Sequence, residues 1–120
     1  AAQRAQELLD LAEQFRSDWN YGNAVHHGHL LLGQVALGRG DIAAAVAHLQ
    51  DAGRTPGSPQ LNSFGPNLHL AQALLRAGYP DSVVAYLELC RVFWPSGPVD
   101  RWISEIRDGR EPDFGANLVY

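Results

Sequence analysis

The sequence has no lysine and no methionine, and only one threonine and one cysteine among its 120 residues. All nine basic residues are arginines, and no segment carries three of them together. The chain therefore lacks the basic tract that follows a nucleic-acid backbone or an anionic membrane surface. Thirteen acidic residues bring the net charge to -4, so we expect no nucleic-acid partner.

The sequence also lacks a long apolar run. The longest is Ile42–Ala47, far short of the roughly 18 residues that span a bilayer. The opening Ala1-Ala2-Gln3-Arg4 is not the basic and then apolar pattern of a signal sequence, and a removed targeting peptide stays open as an alternative. Cys90 alone cannot form an intramolecular disulfide, which is compatible with a reducing compartment. We expect no membrane partner and a cytoplasmic location.

What the chain does contain favours helix. Alanine and leucine dominate while β-branched residues are scarce, and 46% of the residues are hydrophobic. We predict one all-α domain of about six helices with an irregular C-terminal tail. The expected parts are an N-terminal capping helix (1–19), a first helix pair (23–53), a long loop (54–65), a second helix pair (66–95), a capping helix (98–108) and the tail (109–120).

Turn and capping residues divide these helices. A polar turn is expected around Gly22, and Gly38-Arg39-Gly40 is a helix-ending signal. Asp41 is a natural N-cap for the helix that follows. Two prolines and two glycines within 54–65 predict an irregular loop. Pro66 is expected at the first position of the next helix.

The two helix pairs repeat with an offset of 38 residues. Small and large apolar residues stand at matching positions: Gly33, Gly40, Ala45, Leu49 and Ala52, and then Ala71, Gly78, Val83, Leu87 and Cys90, with Pro95 closing the second copy. This pattern resembles two tetratricopeptide repeats with an extended linker, although the signature tryptophan of that family is absent from both copies. Segments 55–67 and 112–120 also resemble small bacterial repeat-like proteins of unknown role.

The resemblance implies a right-handed stack of antiparallel helix pairs that acts as a scaffold for protein binding. Gly33 and Ala45 would face each other where the two helices approach closely. The first helix of each pair would line a concave groove, at His27, Leu30, Gln34, Leu37, Leu68, Gln72, Leu75 and Arg76. The lysine and asparagine set of the chaperone-binding subclass is missing, so a terminal carboxylate is not the expected ligand.

An apolar groove with glutamine side chains suits an apolar peptide or a partner protein, and we predict a non-enzymatic interaction module. The groove leucines could instead pack against a neighbouring helix, and a second copy of the chain is another candidate partner. The alternative function is a small-molecule-binding protein or an unusual enzyme, because long loops in compact domains are often functional. Its pocket, between the concave helices and the 55–67 loop, would be lined by His27, His29, Asn62, Asn67, His69 and Tyr120.

No constellation in the sequence predicts catalysis or metal binding. His26 and His29 share a helix face, but the sequence pattern supplies no third or fourth ligand. Cys90 falls where the repeat requires a small buried residue, which is unfavourable for a nucleophile. We therefore expect no metal, no cofactor and no catalytic residue.

The tail is apolar but has no helical pattern. Phe114, Leu118, Val119 and Tyr120 would be an aggregation liability in water, so we expect the tail to dock on the protein itself. The predicted acceptor is the concave surface, at Leu30, Leu37, Leu68 and Leu75. Asn117 and the two groove glutamines, Gln34 and Gln72, would then satisfy main-chain groups.

Overall fold

A computed structural model describes residues 2–14 and 21–119. These residues form seven α-helices and one 3₁₀ turn and contain no β-strand, so the expected all-α class is confirmed. The part of the first predicted helix that covers 15–19 lies outside the described residues. The elements in chain order are α1 (Ala2–Gln14), α2 (Tyr21–Gly38), α3 (Ile42–Gly53), α4 (Pro59–Phe64), α5 (His69–Arg76), α6 (Pro80–Phe93), α7 (Val99–Arg107) and the 3₁₀ turn (Gly115–Leu118).

The helices α2 and α3 form an antiparallel hairpin. His26, early in α2, contacts Ala52, near the end of α3, whereas Gly33, late in α2, lies against Ala45. A Cβ atom at position 33 would lie 3.4 Å from the Ala45 carbonyl oxygen and 2.5 Å from Cδ2 of Leu70. The two helices therefore approach closely at Gly33 and Ala45, as expected, whereas the contact that a Cβ would make too short is with the end of the Leu70 side chain on α5.

The turns that end α2 and α5 have the same geometry. Each contains a glycine in the left-handed region, with φ of 78° at Gly40 and 97° at Gly78. The glycine N–H donates to the carbonyl three residues back, and the next N–H donates to the carbonyl five residues back. These distances are 3.0 and 2.9 Å in the first turn and 3.1 and 3.0 Å in the second. Both turns are thus glycine C-caps of the Schellman type.

The helix α6 runs beside α3 in the same direction. Nε2 of Gln50 donates to the carbonyl of Ser82 at 2.9 Å, and a Cβ at Gly53 would lie 3.0 Å from Cβ of Leu89. Apolar side chains from α2 to α7 and the tail form one continuous core. Its largest fully buried members are Leu49, Leu61, Leu68, Leu70, Leu74, Val83, Tyr86, Leu87, Val99 and Phe114.

The prediction of an irregular loop over 54–65 is wrong for residues 59–64, which form α4. The Ser58 hydroxyl caps this helix by accepting from the N–H of Leu61 at 3.1 Å, and Pro59 occupies its first turn. Gly65, with φ of 86°, ends it. Proline interrupts a helix interior but fits its first turn, where no N–H donor is needed, so this proline starts a helix.

Two other boundaries differ from the prediction. The helix α2 begins at Tyr21 and includes Gly22, because Gly22 serves packing and not a turn: a Cβ there would lie 1.8 Å from the carbonyl oxygen of Gly57. The helix α5 begins at His69 and not at Pro66. The main chain just before α5 is bonded instead to the tail and to His26.

The tail turns back onto the helices and packs against them. Phe114 is 2% exposed, and its ring meets Trp102 edge-on at 5.1 Å between centroids. Gly115–Leu118 forms the 3₁₀ turn, where an irregular segment was expected. None of the helices in the described part of the chain has the length and apolar character needed to cross a membrane.

Candidate functional site: a cleft between α2, α5 and the tail

A cleft of about 270 Å³ lies between α2, the start of α5 and the end of the tail. We call it the α2–α5 cleft. Its lining combines residues from both sites expected from the sequence with residues of the tail. The lining side chains are those of His27, Leu30, Leu31, Gln34, Asn67, His69, Leu118 and Val119.

The α2 wall follows from helical periodicity. Its lining residues stand at positions 27, 30, 31 and 34, a spacing that places all four on one face of a helix. The opposite wall begins where Asn67 accepts a hydrogen bond from the N–H of His69 through Oδ1 at 2.9 Å. This local bond fixes the entry into α5, so both walls are set by ordinary helix geometry.

A buried histidine holds the two walls at their separation. Nδ1 of His26 lies 3.1 Å from the carbonyl oxygen of Ala52, and Nε2 lies 3.0 Å from the N–H of Asn67. The ring therefore donates through Nδ1 and accepts through Nε2, which defines the neutral tautomer. Burial lowers the pKa of His26 to about 4, so the ring stays neutral at pH 7. His26 thus positions the cleft without lining it.

The tail forms the third wall through Asn117. Its Nδ2 donates to the carbonyl oxygens of Phe64 at 2.9 Å and Pro66 at 3.0 Å. The main-chain carbonyl of Asn117 accepts from the N–H of Leu68 at 2.8 Å. Because these bonds anchor the chain one residue earlier, Leu118 and Val119 come to lie at the edge of the cleft.

The cleft combines apolar and polar side chains. Leu31 is 38% exposed and Val119 is 82% exposed, so apolar surface faces solvent at its rim. Nε2 of Gln34 lies 3.3 Å from Nδ1 of His69 on the facing wall. Burial lowers the pKa of His27, which keeps that imidazole uncharged at pH 7. The lining therefore suits an apolar group flanked by hydrogen-bonding groups.

Only some of the residues predicted to line the groove lie in the α2–α5 cleft. His27, Leu30 and Gln34 line the cleft, whereas Leu68 is fully buried and Leu37 and Leu75 pack against the core. Gln72 is half-buried on α5 and lies outside the cleft lining. Arg76 forms a two-pronged ion pair with Glu111, at 2.7 and 3.0 Å, and so secures the start of the tail.

The alternative pocket is divided as well. His27, Asn67 and His69 line the cleft, but Asn62 lines a separate depression of about 470 Å³ with Pro56 and Phe93. His29 turns away toward α3, where its Nδ1 is 3.1 Å from Nδ1 of His48. Tyr120 lies outside the described residues. His26, which shares a helix face with His29 in the sequence pattern, points instead to the carbonyl oxygen of Ala52.

The docking site of the tail differs in detail from the prediction. Asn117 bonds the main chain of residues 64–68, whereas Gln34 bonds His69. The tail borders the cleft at Leu118 and Val119, and Leu118 is packed against the core. The apolar character of the tail predicts that it docks on the protein. The place where it docks is set by the hydrogen bonds of the Asn117 side chain.

Cys90 is fully buried on α6, and burial raises the pKa of its thiol. The thiolate needed for nucleophilic attack is therefore suppressed at this position.

Comparison of the chain with protein-family models, curated proteins and solved structures gave no match.

Proposed function

We propose that the chain is a tetratricopeptide-like interaction module that binds an apolar peptide segment in the α2–α5 cleft. The observation that carries this proposal is the rim of the cleft, where Leu31 and Val119 present apolar surface to solvent. Large exposed apolar groups that border a concavity are typical of interaction sites. The role proposed is binding and not catalysis.

Internal symmetry supports a repeat architecture. Residues 38 positions apart have matching environments: Ala45 and Val83 are fully buried, and so are Leu49 and Leu87. The two glycine turns share their φ sign and their hydrogen-bond pattern. We infer that α2–α3 and α5–α6 are two copies of one helix hairpin, with α4 inserted between them. The right-handed stack of hairpins is part of this proposal.

The size of the cleft favours a peptide over a small-molecule cofactor. Ligand pockets commonly measure about 300–1,000 Å³ and enclose most of the ligand. At about 270 Å³, with exposed residues on its rim, this cleft accommodates one or two apolar side chains of a longer segment. Gln34 and His69 can hydrogen-bond the main chain of that segment.

Peptide selection tests the proposal. A random peptide library would be selected on the full chain, and the enriched peptides measured against Leu31→Glu and against Tyr79→Glu. Both residues are 38% exposed, but Tyr79 is the N-cap residue just before α6 and lies outside the cleft lining. We expect enriched peptides to share a large apolar residue and to lose affinity at least about tenfold with Leu31→Glu alone.

Failure to enrich any peptide, or equal binding by both variants, would contradict the proposal.

A second candidate, a small polar ligand or substrate, is favoured by one observation: the imidazoles of His27 and His69 share the cleft with the Asn67 amide. A ligand of that kind would bind both glutamate variants and would depend on the imidazoles.

A further inference from the structure

A second polar cluster lies on the other side of α2, where that helix meets α3. It consists of His29 on α2 and of His48 and Asp51 on α3, all half-buried. One ligand-type atom from each residue lies within 4.8 Å of the others. The cluster is distinct from the α2–α5 cleft, because His27 and His29 project from different sides of the helix.

Its geometry is close to that of a metal-binding site. The two Nδ1 atoms are 3.1 Å apart, and two imidazole nitrogens on a tetrahedral zinc ion, each about 2.0–2.1 Å from it, are roughly 3.3 Å apart. The rings are inclined by 32° with their centroids 5.4 Å apart. The spacing of the two nitrogens therefore differs from that expected on one zinc ion by only a few tenths of an ångström.

The two helices hold the ligands in place. His48 and Asp51 are three residues apart and so share the face of α3 that meets α2. The close helix approach at Gly33, whose missing Cβ would lie 3.3 Å from Cβ of His48, brings His29 into range. Two ligands from one helix and one from its partner form a site that depends on the hairpin being folded.

From this geometry we infer that His29, His48 and Asp51 bind one divalent zinc ion, with a fourth position left for water or an external ligand. Two imidazoles and one carboxylate are the donor types that zinc takes in sites with three protein ligands. A set with two nitrogens disfavours Mg²⁺ and Ca²⁺, which prefer oxygen. When Nδ1 binds the ion, each neutral imidazole carries its proton on Nε2, so no net charge is added to either ring.

Zinc binding would replace two contacts, the hydrogen bond between the Nδ1 atoms of His29 and His48 and the ion pair of Asp51 with Arg54. Nη1 of Arg54 lies 3.0 Å from Oδ1 of Asp51, and the Arg54 and Asp51 side chains are 61% and 45% exposed. An exposed ion pair of this kind is weak, so the carboxylate can turn from the guanidinium to the ion.

The test is titration of the full chain with Zn²⁺ by calorimetry, followed by Co²⁺ as a spectroscopic probe. We expect one saturable site, a rise in melting temperature with Zn²⁺, and Co²⁺ absorption bands of a low-coordinate site. His48→Gln and Asp51→Asn should each weaken Zn²⁺ binding at least about tenfold. Asp81→Asn, which removes an exposed carboxylate on α6, should leave the affinity unchanged.

Two results would overturn the inference. One is the absence of saturable Zn²⁺ binding to the unaltered chain at neutral pH. The other is equal Zn²⁺ affinity in His48→Gln, Asp51→Asn and Asp81→Asn, which would indicate dispersed surface binding. Because Asp51 is on the surface, Asp51→Asn keeps the test valid even if His48→Gln fails to fold. Mg²⁺ at the same concentration is the ion control.

Discussion

The backbone N–H of Asn67 donates to Nε2 of the buried His26 ring across 3.0 Å. The carbonyl of the same Asn67 accepts from the hydroxyl of Tyr86 at 2.8 Å. The segment that leads into α5 is therefore tied to α2 on one side and to α6 on the other. Since Asn67 also lines the cleft, these bonds set the position of one cleft wall.

Stability should fall as the pH is lowered from about 6.5 to about 4. Burial depresses the pKa of His26 from 6.5 to about 4, so in this window the unfolded chain binds a proton that the folded chain excludes. Stability is then fully present above pH 6.5 and is lost progressively below it, by about 3 kcal/mol in total. Lowered pKa values of His27 and His29 add a loss of the same sign.

Urea unfolding between pH 7.5 and pH 4.5 measures this effect. His26→Gln is the control, because its amide can donate and accept but does not titrate. We expect a lower stability at pH 7.5 and a flatter pH dependence in the variant. A pH dependence as steep as that of the unaltered chain would show that His26 is not the titrating group responsible.

Asn117→Ala should destabilise the protein by about 1–3 kcal/mol, because it removes the donor to the buried carbonyl of Pro66 and the part-buried carbonyl of Phe64. The comparison is Glu111→Gln, which removes the charge of the exposed Arg76 pair and should cost less than about 1 kcal/mol. Chemical denaturation of both variants measures the difference. Equal stabilities would mean that Asn117 does not anchor the tail.

Gly22→Ala should be strongly destabilising, since its Cβ would lie 1.8 Å from the Gly57 carbonyl oxygen, a main-chain atom. Gly38→Ala is the matched control, because that helical position has open space around it. Alanine there should be neutral or stabilising by up to about 1 kcal/mol. Thermal melts distinguish the two, and a stable Gly22→Ala variant would contradict the packing of α2 on the 55–58 segment.

The helices with clear end signals could be predicted from sequence. Asp41 caps α3 by accepting from the N–H of Ala44 at 3.1 Å, as expected from its place after a glycine turn. The end of α5 at the Gly78 turn and the face of α7 at Trp102 and Ile106 also follow from local pattern. α4 could not be recognised in this way. Proline interrupts the interior of a helix but is favoured in its first turn, so Pro59 alone does not distinguish a loop from the start of a helix.

The side-chain clusters depend on contacts distant in the chain. The pairing of Gly33 with Ala45 sets a register that places His29 next to His48, so that cluster had a signal in the sequence. Asn117 was expected to bond main-chain groups, but the sequence does not indicate which ones, since its amide reaches carbonyls 51 and 53 residues away. The bond from His26 to Asn67 spans 41 residues and depends equally on tertiary packing.

The most direct test of peptide binding in the α2–α5 cleft is a nuclear magnetic resonance titration of the labelled chain with a selected apolar peptide. We expect saturable amide shifts concentrated at Leu31, Gln34, His69 and Val119. Val92 should change little, because it is as exposed as Val119 (84% against 82%) but lines a different depression. Shifts centred on Val92 and the neighbouring depression, or no saturable shifts at all, would contradict the account.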